Sequence, residues 1–178
     1  MRLLLILLAI LCLLAAAATF FVWSGTYNVA ANVPHWNLTN WLLDEVREQS
    51  IASHSKGTII PSSKDPRLAA AGFRHYHAMC RLCHNAPGYP RTEISRGLYP
   101  APPDFTAKDT ALPSTAEIYW IARNGIKMTG MPAFGGTHSD EELWEIVFFV
   151  KGLSNMKPEE YHTMVGALNP HKEGGHHH

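Results

Sequence analysis

Leu3 to Trp23 is a run of 21 residues without one charged side chain, interrupted only mildly by Cys12 and Thr19. In lipid every backbone N–H and C=O must find its partner inside the segment, so a run of this kind is helical. At the helical rise it spans about 31 Å, roughly the hydrocarbon thickness of a bilayer. No second run of this kind exists, which excludes a polytopic membrane protein. The competing reading is a cleaved secretory signal, with Arg2 in front and the small residues Ala15 to Ala18 as the cleavage region. The run exceeds the usual signal core of about 7–15 residues. Phe20, Phe21 and Val22 also continue it past the alanines to Trp23, which stands where an interfacial aromatic sits. Residues 1–23 are therefore expected to be an uncleaved anchor, with the lipid bilayer as partner of Leu3 to Trp23. Leu11 before Cys12 is too large for the usual lipidation signal, so Cys12 reads as a small apolar residue in lipid.

Basic flanks set the orientation. Arg2 precedes the segment, and no Lys or Arg follows until Arg47. The positive-inside rule then places the N-terminus in the cytoplasm of a single-pass protein of the inner membrane, with everything after Trp23 periplasmic or extracytoplasmic. The exported part has ordinary polar composition, with 12 Pro and 13 Gly in the whole chain. Lys plus Arg and Asp plus Glu are each 15, and this balance lacks the basic surplus of a nucleic-acid footprint. Gly174 to His178 resembles the remnant of a purification tag, so His176, His177 and His178 are left out of functional reasoning.

Residues 24–64 read as a connector. Asn40 can cap a short helix whose Trp41, Leu42, Leu43 and Val46 form an apolar stripe, resting on the main domain or at the membrane surface. Lys56 to Ser63 reads as a linker. The compact domain is expected over 65–155, followed by a C-terminal tail over 156–178. Asp65 can cap a first helix with Pro66 at its first position, running through Ala69, Ala70, Gly72, Phe73 and Tyr76. Little regular structure is expected from Ala86 to Asp104. Ser114 with Glu117 and Ser139 with Glu142 are capping boxes. The first opens a helix through Ile118, Tyr119 and Ile121 that Gly125 ends. The second opens one with Leu143, Trp144, Val147, Phe148 and Val150. No strand pattern competes, and the fold class is all-α.

Cys80-Arg81-Leu82-Cys83-His84 is the c-type haem attachment pattern. Two cysteines three apart on a helical turn point the same way, so each can add to one vinyl group of a single haem. The adjacent histidine then supplies the proximal nitrogen. A zinc site would need further cysteines, and the only other one, Cys12, lies in the anchor; a thioredoxin-like pair would need strands. One pattern means one covalently attached haem c, on the side of the membrane where such attachment occurs. The sixth iron ligand must come from elsewhere, with Met79, Met128, Met131, His75 and His77 as candidates. Met79 abuts Cys80 on the attachment side and cannot readily reach the opposite face. In Asn124 to Phe134, Gly125 and Gly130 permit a looping backbone and Pro132 extends the residue before it, which suits a methionine presented across the haem.

At these residues the chain resembles the class I cytochrome c family, of the bacterial membrane-anchored monohaem type. The Gly72/Tyr76 helix, Cys80 to His84, the Gly-Met-Pro-Ala-Phe loop and the Trp144/Phe148 helix carry the resemblance, from about Asp65 to Leu153. It implies a small helical domain around one haem, Met131 as the sixth ligand, and crossing first and last helices with Gly72 and Tyr76 at the crossing. It further implies a proline carbonyl accepting a hydrogen bond from His84, with Pro100, Pro102 and Pro103 as candidates. His/Met ligation leaves no open site and favours outer-sphere electron transfer, so the chain is expected to be no enzyme in its own right.

The expected partners are a membrane-bound quinol-oxidising complex, a dehydrogenase or a terminal oxidase or reductase, served as a tethered shuttle or as a subunit. Charge is unevenly spread: Arg67 to Lys127 holds eight bases against four acids, and Met128 to the end three against seven. That asymmetry reads as two ordinary solvated faces, with steering of the attachment side towards an acidic partner as the sharper alternative. The other functional reading is a haem-based gas sensor or peroxidase-like enzyme with a labile sixth ligand.

Overall fold

The computed structural model describes residues 1–62 and 66–168. Asp65, expected as a helix cap, and the tag-like C-terminus lie outside the described residues. The chain divides into two compact units, Met1–Pro34 and His35–His178. The first is built on α1, Arg2–Trp23, a helix long and apolar enough to cross a membrane. Its one hydroxyl is satisfied internally, with Thr19 Oγ1 donating to the Ala15 carbonyl at 2.8 Å, as a lipid environment demands.

The second unit contains α2 (Asn37–His54), α3 (Pro66–His75), α4 (Arg81–His84), α5 (Glu93–Gly97), α6 (Thr115–Asn124), α7 (Asp140–Leu153) and α8 (Pro158–Leu168). Among the described residues there is no strand, so the all-α class stands. The helix expected to begin at Asn40 starts a turn earlier, at Asn37. Asn40 spends its amide on Asp44 Oδ2 at 2.9 Å, and the Arg47–Asp44 and Gln49–Glu45 pairs support the following turns. Both capping boxes form as expected, Ser114/Glu117 on α6 and Ser139/Glu142 on α7. Gly125 ends α6 at φ 67. From Ala86 to Asp104 the regular structure is the five-residue α5, capped by the Thr92 hydroxyl.

The core is the crossing of α3 over α7. A Cβ at Gly72 would lie 2.1 Å from the Glu145 carbonyl oxygen, so the two backbones touch where any side chain would hold them apart. Around that point Phe73 and Tyr76 pack on Phe149, with ring centroids at 5.7 and 5.2 Å. Leu143, Val147 and Leu153 of α7 are fully enclosed. On its other side α7 stacks Trp144 on Tyr119 of α6, 4.1 Å between centroids. The segment expected as a tail contributes α8, whose Tyr161 is fully buried against Phe73. Its spacing of Tyr161, Met164, Val165 and Leu168 explains this, since all four lie on one helical stripe facing the core.

Candidate functional site

Cys80, Cys83 and His84 stand on one continuous helical stretch. α3 widens into a π-helical turn over Tyr76–Cys80, then resumes as α4 over Arg81–His84. Such turns recur at functional sites because they re-aim the residues that follow. Asn85 at φ 70 ends the stretch directly after His84. Burial pushes the Cys80 thiol up to about 12, with Cys83 beside it adding to the effect, and burial also raises Cys83. A Cys-x-x-Cys redox pair needs the opposite, a stabilised thiolate.

His84 is buried and held from two directions. Its Nδ1–H donates to the Pro103 carbonyl at 2.9 Å, which selects Pro103 from the three proline candidates. The Phe105 ring stacks on the imidazole at 4.2 Å, with the two planes 3° apart. Burial lowers the pKa of His84, although the bond to Pro103 and the charge of Asp104 act in the other direction. The ring is therefore neutral at physiological pH, with Nε2 left as a lone-pair donor. The Pro103 turn is fixed in its own right. Asp104 accepts from Asn85 at 2.9 Å and from the Thr106 hydroxyl at 2.7 Å, and Tyr76 Oη donates to the Asn85 carbonyl at 2.6 Å. Tyr76 was legible as a packing residue of the first helix, but its hydroxyl also ties down the residue after His84. Nothing in the sequence singles out Phe105, Asn85 or Asp104.

Met131 lies in the loop between α6 and α7. That loop folds back onto Gly125, where a Cβ would meet the Ala133 nitrogen at 2.7 Å and the Met131 carbonyl at 2.8 Å. Ile126 N–H donates to the Met131 carbonyl, and Met131 N–H donates to Thr129 Oγ1, both at 3.1 Å. Met131 is half-buried, whereas Met128 stands 89% exposed at φ 59. Leu98 joins the two halves of the site: a Cβ on Gly130 would lie 2.5 Å from Leu98 Cδ2. The segment 98–103 thus touches the loop of Met131 at one end and holds His84 at the other. The remaining candidates point elsewhere. His77 Nδ1 meets Tyr161 Oη at 3.0 Å, His75 lies 3.8 Å from Glu142, and Met79 packs on the core.

The family model described as cytochrome c oxidase, cbb3-type, subunit III matches residues 67–150. That span contains the attachment pattern, the Pro103 turn, the Met131 loop and the helix crossing. It is a class I cytochrome c domain. A comparison with curated proteins found no match. The cytochrome c domain implies haem-based electron transfer and covalently bound haem c. The residues present fit that group: two neighbouring thiols, an imidazole with Nδ1 committed and Nε2 available, and a thioether on a stiffened loop.

Proposed function

We propose that this protein is a membrane-tethered, monohaem electron carrier, in which Cys80 and Cys83 attach the haem and His84 and Met131 are the axial ligands. When bound, the haem supplies one-electron Fe(III)/Fe(II) exchange without making or breaking a substrate bond. The observation that carries the reading is the His84–Pro103 hydrogen bond, which fixes tautomer and ring orientation together and leaves Nε2 as the donor. The chain's own residues keep that geometry stiff. Phe105 blocks rotation of the imidazole, and Asp104 and Asn85 hold the turn that carries the Pro103 carbonyl. Gly125, Gly130 and Pro132 set the loop of Met131, and the bonds of Ile126 and Thr129 hold it. A centre whose ligands do not move between oxidation states exchanges electrons with little reorganisation.

α1 tethers the domain to the inner membrane with the N-terminus cytoplasmic and the haem domain periplasmic, a reading supported by Arg2 before the span and the absence of Lys or Arg after it until Arg47. A tethered domain searches a thin shell, which raises its effective concentration at membrane-bound donors and acceptors. The matched family is described by an oxidase subunit, which favours a place in a membrane redox complex with a terminal oxidase or reductase. Gentle detergent extraction followed by sizing tests this; a particle of the bare chain plus micelle would refute the subunit reading and leave the shuttle. The ligand set is tested by the absorption spectrum of the dithionite-reduced protein before and after carbon monoxide. An unchanged spectrum is expected, because both axial positions are held. A shift would demote Met131 and favour a gas sensor or peroxidase-like enzyme.

A further inference from the structure

α2 lies wholly outside the matched span 67–150, yet it is fastened to the cytochrome c domain at both ends. At its start, Tyr99 Oη accepts from His35 N–H at 3.1 Å and donates to Asn40 Oδ1 at 3.4 Å. At its end, Ile51 is buried and His54 lies 5.7 Å from the Trp120 ring of α6. Asn40, Ile51 and His54 share one side of the helix. The opposite side carries Leu38, Trp41 and Leu42, which are 73, 60 and 51% exposed. Their spacing of three and four residues puts them on one face about 100° wide. Further along, that face turns polar at Glu45 and Gln49, which are bonded to each other at 2.9 Å. Its apolar part therefore sits at the end of α2 that the chain enters from α1.

A lone exposed leucine needs no explanation, but a contiguous apolar patch with a tryptophan in it marks an interaction surface. Two observations choose its partner. From Leu3 through Leu43 the chain carries no Asp, Glu, Lys or Arg, so the uncharged stretch runs on past the span and ends only at Asp44, where the face begins to turn polar. Asn37 also follows Trp23 by 14 residues, which reach about 50 Å at full extension. Local bonds from Thr26 N–H to Ser24 and from Ala30 N–H to Asn28 shorten that reach. The membrane is thus the one surface that the chain itself keeps close to this face, and a tryptophan among leucines suits the headgroup level.

We propose that the Leu38–Trp41–Leu42 face of α2 docks on the lipid surface into which α1 inserts. This rests on the reading of α1 as a membrane span. Many interfacial helices add Lys or Arg for anionic lipid. α2 has Arg47 alone, paired with Asp44 at 2.7 Å, alongside Glu45 and Glu48. Its attachment is therefore apolar, and neutral phospholipid suffices. Because Tyr99 and Trp120 fasten α2 to the domain, docking holds the domain in one orientation at the membrane instead of letting it swing on the connector.

The test uses the full-length holoprotein in phosphatidylcholine vesicles that contain a phospholipid with a photoactivatable diazirine near the top of its acyl chain. After irradiation, peptide mass spectrometry locates the lipid adducts. Adducts are expected within α1 and within 37–46, and high salt should not remove them. L38Q/W41Q/L42Q should lose the 37–46 adducts while keeping those in α1 and the wild-type haem spectrum. The wild-type map is decisive without the variant: adducts in α1 and none in 37–46 would overturn the docking with the span intact. Labelling of 37–46 by a water-soluble carbene reagent in the same vesicles would then leave the face to a partner protein. Cross-links between the α2 peptides of two molecules would assign it to a second copy. Loss of the 37–46 adducts in high salt would overturn the apolar attachment. A wild type without adducts in α1 would overturn the span itself, and the docking with it.

Discussion

Alanine at Gly72 would place a methyl group 2.1 Å from the Glu145 carbonyl oxygen and 2.8 Å from the Ile146 nitrogen. Ordinary van der Waals contact begins at 3.4 Å, and both obstructing atoms are backbone inside a continuous helix, so no rotamer change relieves the overlap. α3 and α7 must separate instead, loosening Phe73 and Tyr76 from Phe149. Overpacking in cores costs about 1–3 kcal/mol, and a backbone-on-backbone clash belongs at the upper end. The unit His35–His178 is close to the size at which 1 kcal/mol moves the thermal midpoint by about 2–4 °C, so G72A should unfold about 6–12 °C lower. Gly152 gives the opposite sign. It lies in α7, and a Cβ there would meet nothing within 4 Å. G152A relieves only the entropic cost of a helical glycine and should gain about 0.5–1 kcal/mol. Thermal melts of both variants by far-UV circular dichroism, in the same detergent, make the comparison. A G72A midpoint equal to wild type would refute the claim that α3 and α7 meet backbone to backbone at Gly72, and a G152A midpoint below wild type would refute the claim that Gly152 faces open space.

Three further outcomes follow from the site and its supports. Tyr76 is fully enclosed and donates to the Asn85 carbonyl, so Y76F leaves a buried acceptor without its partner and should cost about 1–3 kcal/mol in a denaturant titration. Glu117 and Glu142 are held below the usual carboxylate range by their hydrogen bonds to Ser114 and Ser139. A depressed carboxylate stabilises above its unfolded pKa and loses that contribution as pH falls through the folded one. The gap between the melting midpoints of wild type and E117A/E142A should therefore be open at neutral pH and close below about pH 4. M131A should leave the covalent attachment intact, while its reduced spectrum shifts on carbon monoxide addition; an unshifted spectrum would mean that another side chain fills the sixth position.

Local signals with a local physical cause were legible in the chain itself. An uncharged run longer than a signal core has one way to satisfy its backbone in lipid, and α1 follows from that alone. Ser114/Glu117 and Ser139/Glu142 are self-contained devices, so the starts of α6 and α7 could be read to the residue. The spacing of Cys80, Cys83 and His84 is fixed by one helical turn. Three features needed the tertiary structure. Pro103 rather than Pro100 or Pro102 accepts from His84, because Asp104, Asn85 and Tyr76 set the turn, and those residues meet only when α3 and α4 are in place. Asn40 reads as a cap, yet it turns to Asp44 and Tyr99, and the helix begins three residues before it. Tyr161 looks like part of a tail, and it is core because Phe73 and Phe149 leave a face that an aromatic from α8 fills. Spacing along the chain fixes what one helical turn can reach; which distant residues share a wall is decided only when the helices cross.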